Sequence, residues 1–233
     1  MRYPEAMTRP HFTVYTSPFS HNGIRPELAL REKGLEFDTV TVDLLAGEHR
    51  RPPFAALTPR GQVPTLTCED GGDTVVVWES IAIIRFIDAV VPEPPLMPPV
   101  AERRRYAEAL MRIEEFQAKL DPKNIMGSVI FGRQSRQQLA PRIEALRAEL
   151  PRWDAYVGER RFLAGEQFTL ADIAVFPLLM HFEALGYDWA RHTPSLAGYV
   201  ERCKARPSVR AAGWLDHFAA FMGQRNPDRV LAD

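Results

Sequence analysis

The chain has 233 residues, more than a typical domain of about 100–200 and enough for two hydrophobic cores. Lys and Arg number 29 against 30 Asp and Glu, a net charge of −1, so no surplus of positive charge exists to hold a phosphate backbone, and nucleic acid is not expected as a partner. No run approaches the ~20 apolar residues of a membrane span, Met1 to Pro10 lack the apolar core of a secretion signal, and Cys68 and Cys203 match no disulfide or zinc framework; a cytoplasmic protein with reduced thiols and no metal is expected.

Phe12-Thr13-Val14-Tyr15 reads as a short strand, Arg25 to Lys33 as a helix closed by Gly34, and the alternating, β-branched Phe37 to Val42 as a second strand. Together these form a βαβ unit. Pro64 to Cys68 and Thr74 to Trp78 flank Asp70-Gly71-Gly72, a hairpin signal, and the second run leads into Glu79-Ser80 at the head of the apolar stretch Ile81 to Ile87. The order βαβ, short helix, ββα is that of a thioredoxin-like fold. Pro92 to Pro99 holds five prolines and can neither continue a helix nor enter a sheet, so it marks a linker. The expected organisation is an α/β domain over residues 1–91, a linker over 92–100 and an all-helical domain over 101–233. The order of residues 1–10 and of the tail after Met222 stays open.

In the helical half, Tyr106, Leu110, Ile113, Gln117 and Leu120 fall near one helical face, preceded by Arg103-Arg104-Arg105, which reads as a solvated run. Thr169-Leu170-Ala171-Asp172 has the spacing of a capping-box variant, which makes Asp172 a structural rather than a catalytic carboxylate. Pro194 and Pro207 suit the first turns of two further helices.

The stretch with the most chemical content is Gly61-Gln62-Val63-Pro64-Thr65-Leu66, followed 15 residues after Pro64 by Glu79-Ser80. A proline entering a strand gives up its N–H donor, and an X-Pro bond tolerates the cis isomer for about 0.5–1 kcal/mol. With the Val63-Pro64 bond cis, Val63 keeps both N–H and C=O for an extended peptide.

These segments carry a resemblance. From Phe12 to about Leu215 the chain is similar to the cytosolic glutathione S-transferases, closest to the phi and related serine-type classes. The matching segments are Pro18-Phe19-Ser20 with Arg25, Leu45-Ala46-Gly47-Glu48-His49-Arg50, Gly61-Gln62-Val63-Pro64, Glu79-Ser80, and Phe162-Leu163-Ala164-Gly165 with Phe168 to Asp172. Each is weak alone; their order and spacing give the match its strength.

The resemblance implies a glutathione transferase that activates the thiol of its co-substrate glutathione for attack on small hydrophobic electrophiles, a detoxification chemistry, in a cytoplasmic homodimer. A thiol of pKa about 8.5 is only about 3% thiolate at pH 7, and one charge-assisted hydrogen bond worth about 1.5–3 kcal/mol supplies most of the needed depression. The resemblance assigns that donor to Ser20, which position alone reads equally as a plain N-cap serine. It implies that His49 and Arg50 hold the glycyl carboxylate, that Gln62, Val63 and Pro64 hold the peptide backbone, and that Glu79 and Ser80 meet the γ-glutamyl ammonium and carboxylate. Phe19, Met111, Glu115, Phe116, Lys119 and Ile125 are candidates for the electrophile pocket, although Met111 and Phe116 on a helix are more often core.

Two departures from the family pattern stand out. His21-Asn22-Gly23 follows Ser20 where small residues or a cysteine are usual, so either His21 or Asn22 could be the thiol's neighbour after a shift in register. Arg60 stands where related classes often carry an aromatic that locks the partner subunit. Two other functions compete: a non-catalytic binding or scaffold module, and a glutathione-dependent peroxidase or dehalogenase on the same site. A thiol-disulfide oxidoreductase would need a cysteine between Thr16 and Arg25, and there is none.

Overall fold

Phe12, Val14 and Thr16 alternate with more exposed neighbours along β1 (His11–Thr16), the period-two pattern of a strand with one face in a core. β1 lies inside a four-stranded sheet of order β2-β1-β3-β4, built with β2 (Asp38–Thr41), β3 (Thr65–Asp70) and β4 (Asp73–Trp78). β2 runs parallel to β1, and β3 and β4 run antiparallel in turn. The structure is a computed structural model that describes residues 10–225 and 229–232. The chain divides after Leu96 into two compact units.

In the first unit, α1 (His21–Glu32) and α2 (Ser80–Val90) pack on each other and on the sheet. Ile24, Leu28, Ala29 and Leu30 of α1 and Ile81, Ile83, Ile84 and Ile87 of α2 are buried. The hairpin between β3 and β4 closes on the pair Asp70 and Asp73, with Gly71 and Gly72 at φ 59° and 96°, backbone that glycine adopts at little cost. The short helix expected before β3 is instead a pair of 3-10 turns, Glu48–Arg50 and Phe54–Ala56. Asp43 starts this segment, its carboxylate accepting from the N–H groups of Leu45 (2.8 Å) and Ala46 (2.9 Å). The Val63-Pro64 bond is cis, as the sequence predicts.

α1 begins four residues earlier than its apolar pattern suggests. Ser20 is the N-cap, its Oγ accepting from the N–H of Gly23 at 3.1 Å. Gly23, in the first turn, is what lets the helix approach β1. A Cβ at Gly23 would sit 2.1 Å from Thr16 Oγ1 and 3.3 Å from Ser20 Cβ. At the far end of α1, the fully buried Lys33 Nζ pairs with Asp88 (2.6 Å) and donates to the Pro94 carbonyl (2.8 Å), and Asp88 accepts from the Leu96 N–H (2.9 Å). The first half of the Pro-rich run is thereby fastened to the first unit.

The second unit is helical. α3 (Arg103–Glu115) continues through a π turn, Phe116–Leu120, into a 3-10 turn, and is followed by α4 (Met126–Ile130) and α5 (Arg136–Val157). Then come α6 (Leu170–Ala184), α7 (Trp189–His192), α8 (Pro194–Lys204), α9 (Pro207–Ala211) and α10 (Trp214–Arg225), with Pro194 and Pro207 in first turns. Among the described residues its one β feature is an isolated bridge between Phe162 and Gly165. The buried face of α3 and its continuation is Ala109, Ile113, Phe116 and Leu120, a regular helical stripe that shares Ile113 and Leu120 with the expected one, while Leu110 and Gln117 are exposed. Of the arginine run, Arg103 and Arg104 are exposed, whereas Arg105 donates to the Ala164 carbonyl (3.2 Å) and to Gln167 (3.1 Å).

Every residue of α6 from Leu170 to Phe182 is buried, the mark of a central helix. Its N-terminus is closed by the expected box: the Asp172 carboxylate accepts from Thr169 N–H (2.8 Å), Thr169 Oγ1 (3.0 Å) and Leu163 N–H (3.0 Å). Burial pushes this carboxyl up to about 6 against the lowering effect of those donors. Beyond α10, Val230 and Leu231 are buried and the Leu231 N–H donates to the Leu185 carbonyl at 2.9 Å. Residues 1–9 and 226–228, part of the two terminal stretches left open by the sequence, lie outside the described residues. Among the described residues, no helix is long and apolar enough to cross a membrane.

Two stability outcomes follow from this packing. Gly→Ala inside a helix ordinarily stabilises by roughly 0.8–1 kcal/mol, but Gly23→Ala is expected to lose about 1–3 kcal/mol through overpacking against Thr16. Denaturant titration gives the sign, and a gain would mean that the contact relaxes at no cost. Asp172→Ala leaves buried donors at Leu163 and Thr169 without their acceptor and should lower stability by about 3–5 kcal/mol. A loss under about 1 kcal/mol would show that the cap contributes little.

Candidate functional site

The register of the sheet decides which residues share an edge. Tyr15 pairs with Thr65, Thr65 with Trp78, and Thr16 with Thr41. The ends of β1, β2 and β4 and the start of β3 therefore line one edge of the sheet. Chain leaving or entering there supplies Ser17–Ser20, the loop from Val42 to Arg50, the turn Gly61–Pro64, and Glu79-Ser80. The loop is tied in by the Val42 N–H, which donates to the Thr16 carbonyl at 2.7 Å. The 3-10 turn and the Gly61 turn touch: Gly61 has φ 55°, and a Cβ there would lie 2.5 Å from the His49 carbonyl oxygen. Ser20, His49, Arg50, Gln62, Val63, Pro64, Glu79 and Ser80 thus come together at one edge of the first unit.

Three kinds of polar group meet at this edge. The first is a strip of backbone. Among the described residues neither the N–H nor the C=O of Val63 has a backbone partner, whereas the neighbouring Gln62 carbonyl accepts from Thr65 Oγ1 at 3.3 Å. Gln62 itself is exposed and Pro64 buried.

The second is an anion seat at the head of α2. Glu79 has φ 68° and ψ 111°, and among the described residues it is the one non-glycine with positive φ. This strained turn points the chain from β4 into α2, whose first N–H groups have no intrahelical acceptors. Ser80, 8% exposed, stands beside them. Its Oγ accepts from Arg25 Nη1 at 2.9 Å, and the same nitrogen donates to the side-chain Oδ1 of Asn22. Arg25 is 1% exposed.

The third group is Ser20, half-buried, with one lone pair committed to the Gly23 N–H. Its neighbours are otherwise engaged: His21 is buried and the side-chain Oδ1 of Asn22 faces Arg25. At the opposite end of the edge, Arg50 is exposed and its Nε donates to His49 Nε2 at 3.1 Å. Burial, and then the Arg50 charge, holds the imidazole below its ordinary range, so it is neutral at pH 7. An Nε2 that accepts leaves the proton on Nδ1, which has no partner among the described residues.

The candidates for an electrophile pocket divide. Phe19 is half-buried beside Ser20, while Met111, 49% exposed, and Lys119 face outward from the second unit. Glu115 accepts from Tyr156 Oη at 3.0 Å and pairs with Arg112, whose guanidinium lies 3.3 Å from the centre of the Tyr156 ring. Phe116 and Ile125 are buried in the core of that unit. Among the described residues no group of three or more His, Cys, Asp or Glu could hold a metal ion. Cys68 and Cys203 are free and buried, and burial pushes both thiols up. The residue that the motif reading left without a role is Arg25; its signal was its place five residues after Ser20.

A thioredoxin-like unit with a four-stranded mixed sheet, followed by an all-helical unit around a capped central helix, is the architecture of the glutathione transferase class. Comparison with known proteins agrees. Residues 16–90 match the glutathione S-transferase N-terminal domain and residues 109–207 the glutathione S-transferase C-terminal domain. Glutathione S-transferase 3 of Zea mays is 31% identical over 206 residues, covering 84% of this chain and 90% of that protein. A stringent starvation protein A homolog of Coxiella burnetii is 31% identical over 210 residues, covering 88% of this chain and 93% of that protein. Among solved structures, a glutathione S-transferase from the Antarctic clam Laternula elliptica superposes with a TM-score of 0.77 at 26% identity, covering 96% of this chain and 99% of that one. The chain belongs to the glutathione S-transferase family, and it is a glutathione transferase.

The strain at Glu79 can be read directly. Glu79→Gly should fold more stably than Glu79→Ala by about 1 kcal/mol, because glycine occupies positive φ without a Cβ clash. Denaturation midpoints of the two variants test it. An alanine variant as stable as the glycine one would mean that the turn stores no strain.

Proposed function

We propose that this glutathione transferase binds glutathione along the edge described above and holds its thiol as a thiolate beside Ser20 for attack on small hydrophobic electrophiles. The observation that carries the proposal is the convergence of Ser20, Val63 and the Glu79-Ser80 turn on one sheet edge, which the strand registers impose. The cysteinyl backbone pairs with Val63, with Gln62 beside it and Pro64 fixing the turn. The γ-glutamyl carboxylate sits at the head of α2 against the Ser80 hydroxyl, and its ammonium meets the Glu79 carboxylate. The glycyl carboxylate is held by Arg50 and His49, the imidazole fixing the direction of the guanidinium through the Nε–H bond.

Ser20 acts by donation. The Gly23 N–H occupies one lone pair of its oxygen, so the hydroxyl proton is directed away from the helix and toward the sulfur. The first turn of α1 adds its partial positive charge on the same side. As groups that meet the electrophile we propose Phe19 on the first unit and, on the second unit, Met111, Glu115 and Lys119, while Phe116 and Ile125 are core. A cytoplasmic, detoxifying role fits this chemistry. A homodimer is supported by the apolar side chains left exposed on the edge strand β4, Val75 (46%) and Trp78 (40%).

Ser20→Ala tests the mechanism. Losing about 1.5–3 kcal/mol of preference for the anion should raise the pKa of bound glutathione thiol by roughly 1–2 units and slow turnover near pH 7. Affinity for glutathione should change little, because the rest of the clamp remains. A thiol whose pKa is depressed on the enzyme is ionised earlier than the free thiol, so the deficit shrinks as pH rises toward about 8.5. Thiolate absorbance against pH, read beside the rate on one aryl halide, gives both quantities. An unchanged thiol pKa in Ser20→Ala with a shift in Asn22→Ala or His21→Ala would move the role to that neighbour.

A further inference from the structure

We propose that Arg25 is a positioning residue for the γ-glutamyl carboxylate, acting through the hydroxyl of Ser80; the inference rests on the clamp described under Proposed function. A serine oxygen has one proton and two lone pairs, and a guanidinium offers donors only. Since Arg25 Nη1 donates to Ser80 Oγ at 2.9 Å, the oxygen's lone pair is engaged from the α1 side and its proton points elsewhere. Beside Ser80 are the first N–H groups of α2, donors that cannot receive it. What remains is the open side, where a carboxylate would lie.

One guanidinium nitrogen, Nη1, reaches acceptors on two helices, Asn22 Oδ1 on α1 and Ser80 Oγ on α2, and at 1% exposure the charge is held within the core between them. A donor that is itself charged strengthens the bond that the Ser80 hydroxyl donates onward. Glu27, two residues along the helix, does not take this role over. Its carboxylate faces Arg31, at 4.0 Å, and burial pushes it up to about 7. Arg25 therefore places a fixed positive charge one hydroxyl behind the seat, where bulk water screens it little.

The test compares two ligands on the full chain: glutathione, and the same tripeptide with its γ-glutamyl residue replaced by 4-aminobutanoyl, which removes only the α-carboxylate. Calorimetric titration gives the ratio of the two dissociation constants for wild type, Arg25→Lys, Arg25→Met and Ser80→Ala. Because a ratio is independent of the folded fraction, partial unfolding of a variant does not imitate the effect. Wild type should prefer glutathione by about tenfold or more, as expected for a charge-assisted bond. If it does not, the clamp itself is wrong, whatever Arg25 does.

With that preference present, Arg25→Met and Ser80→Ala should each reduce the ratio to about two or three, and the double variant should reduce it no further. Arg25→Lys, which keeps the charge but not the fork, should fall between, and it carries the test if the methionine variant does not fold. A ratio unchanged from wild type, or equal losses on both ligands, would make Arg25 a packing residue and overturn the proposal.

Discussion

A hydroxyl has a single proton, and whatever donates to its oxygen decides where that proton is sent. At the working edge of the first unit this constraint acts twice. Ser20 takes the Gly23 N–H on its oxygen, and Ser80 takes the Arg25 guanidinium. Each serine has one lone pair engaged by the scaffold, which favours turning its proton toward whatever occupies the edge. A thiolate and a carboxylate are acceptors without protons of their own, and those are the groups that glutathione offers there. The anions need no reorganisation of the protein to be received, because the donors are already turned outward.

The orientation of those hydroxyls depends in turn on how closely the chain packs behind them. Gly23 lets α1 approach Thr16, which keeps Ser20 at the end of β1, and Gly61 lets its turn lie against the His49 carbonyl. Glu79 stands in positive-φ backbone that its side chain does not favour, and the surrounding pairing of β4 and the first turn of α2 holds it there. Such positions share one trait: each gives up local conformational preference to fix the direction of a neighbouring donor. Ile24, Leu28 and Leu30 on α1 and Ile83, Ile84 and Ile87 on α2 supply the apolar burial that offsets it.

Where local pattern and tertiary structure agree, the sequence was readable. The Gly71-Gly72 hairpin, the β-branched strands and the Thr169-x-x-Asp172 cap each follow from residues adjacent in the chain, and each is present. The start of α1 was placed late because its apolar pattern begins only with Leu28, Ala29 and Leu30, while the first turn, His21-Asn22-Gly23, is polar or small and is set by the Ser20 cap and the close approach of Gly23. The buried stripe of α3 was read in part: Ile113 and Leu120 are buried as expected, but the face takes Ala109 and Phe116 instead of Leu110 and Gln117, each of which stands one position off it. Arg105 was assigned to solvent with its neighbours, but its partners, Ala164 and Gln167, are about 60 positions away and invisible to a local window. Arg25 was recognised only as part of a family pattern, since its partner Ser80 is likewise 55 positions distant.

Buried charge in this chain serves two purposes, and the identity of the last acceptor separates them. Asp172 receives three donors from Thr169 and Leu163, and Lys33 ends on Asp88 and the Pro94 carbonyl; in both, the network closes on groups of the fold itself. Removing either would expose unpaired polar groups and weaken the unit that contains it, with no direct consequence for a ligand. One bond of Arg25 reaches instead a hydroxyl that still has a proton to give, Ser80. A hydrogen-bond chain that passes through such a group can be continued by a ligand at the edge. By that criterion the anion seat, rather than the stability of α1 or α2, accounts for the placement of a guanidinium in the core between those two helices.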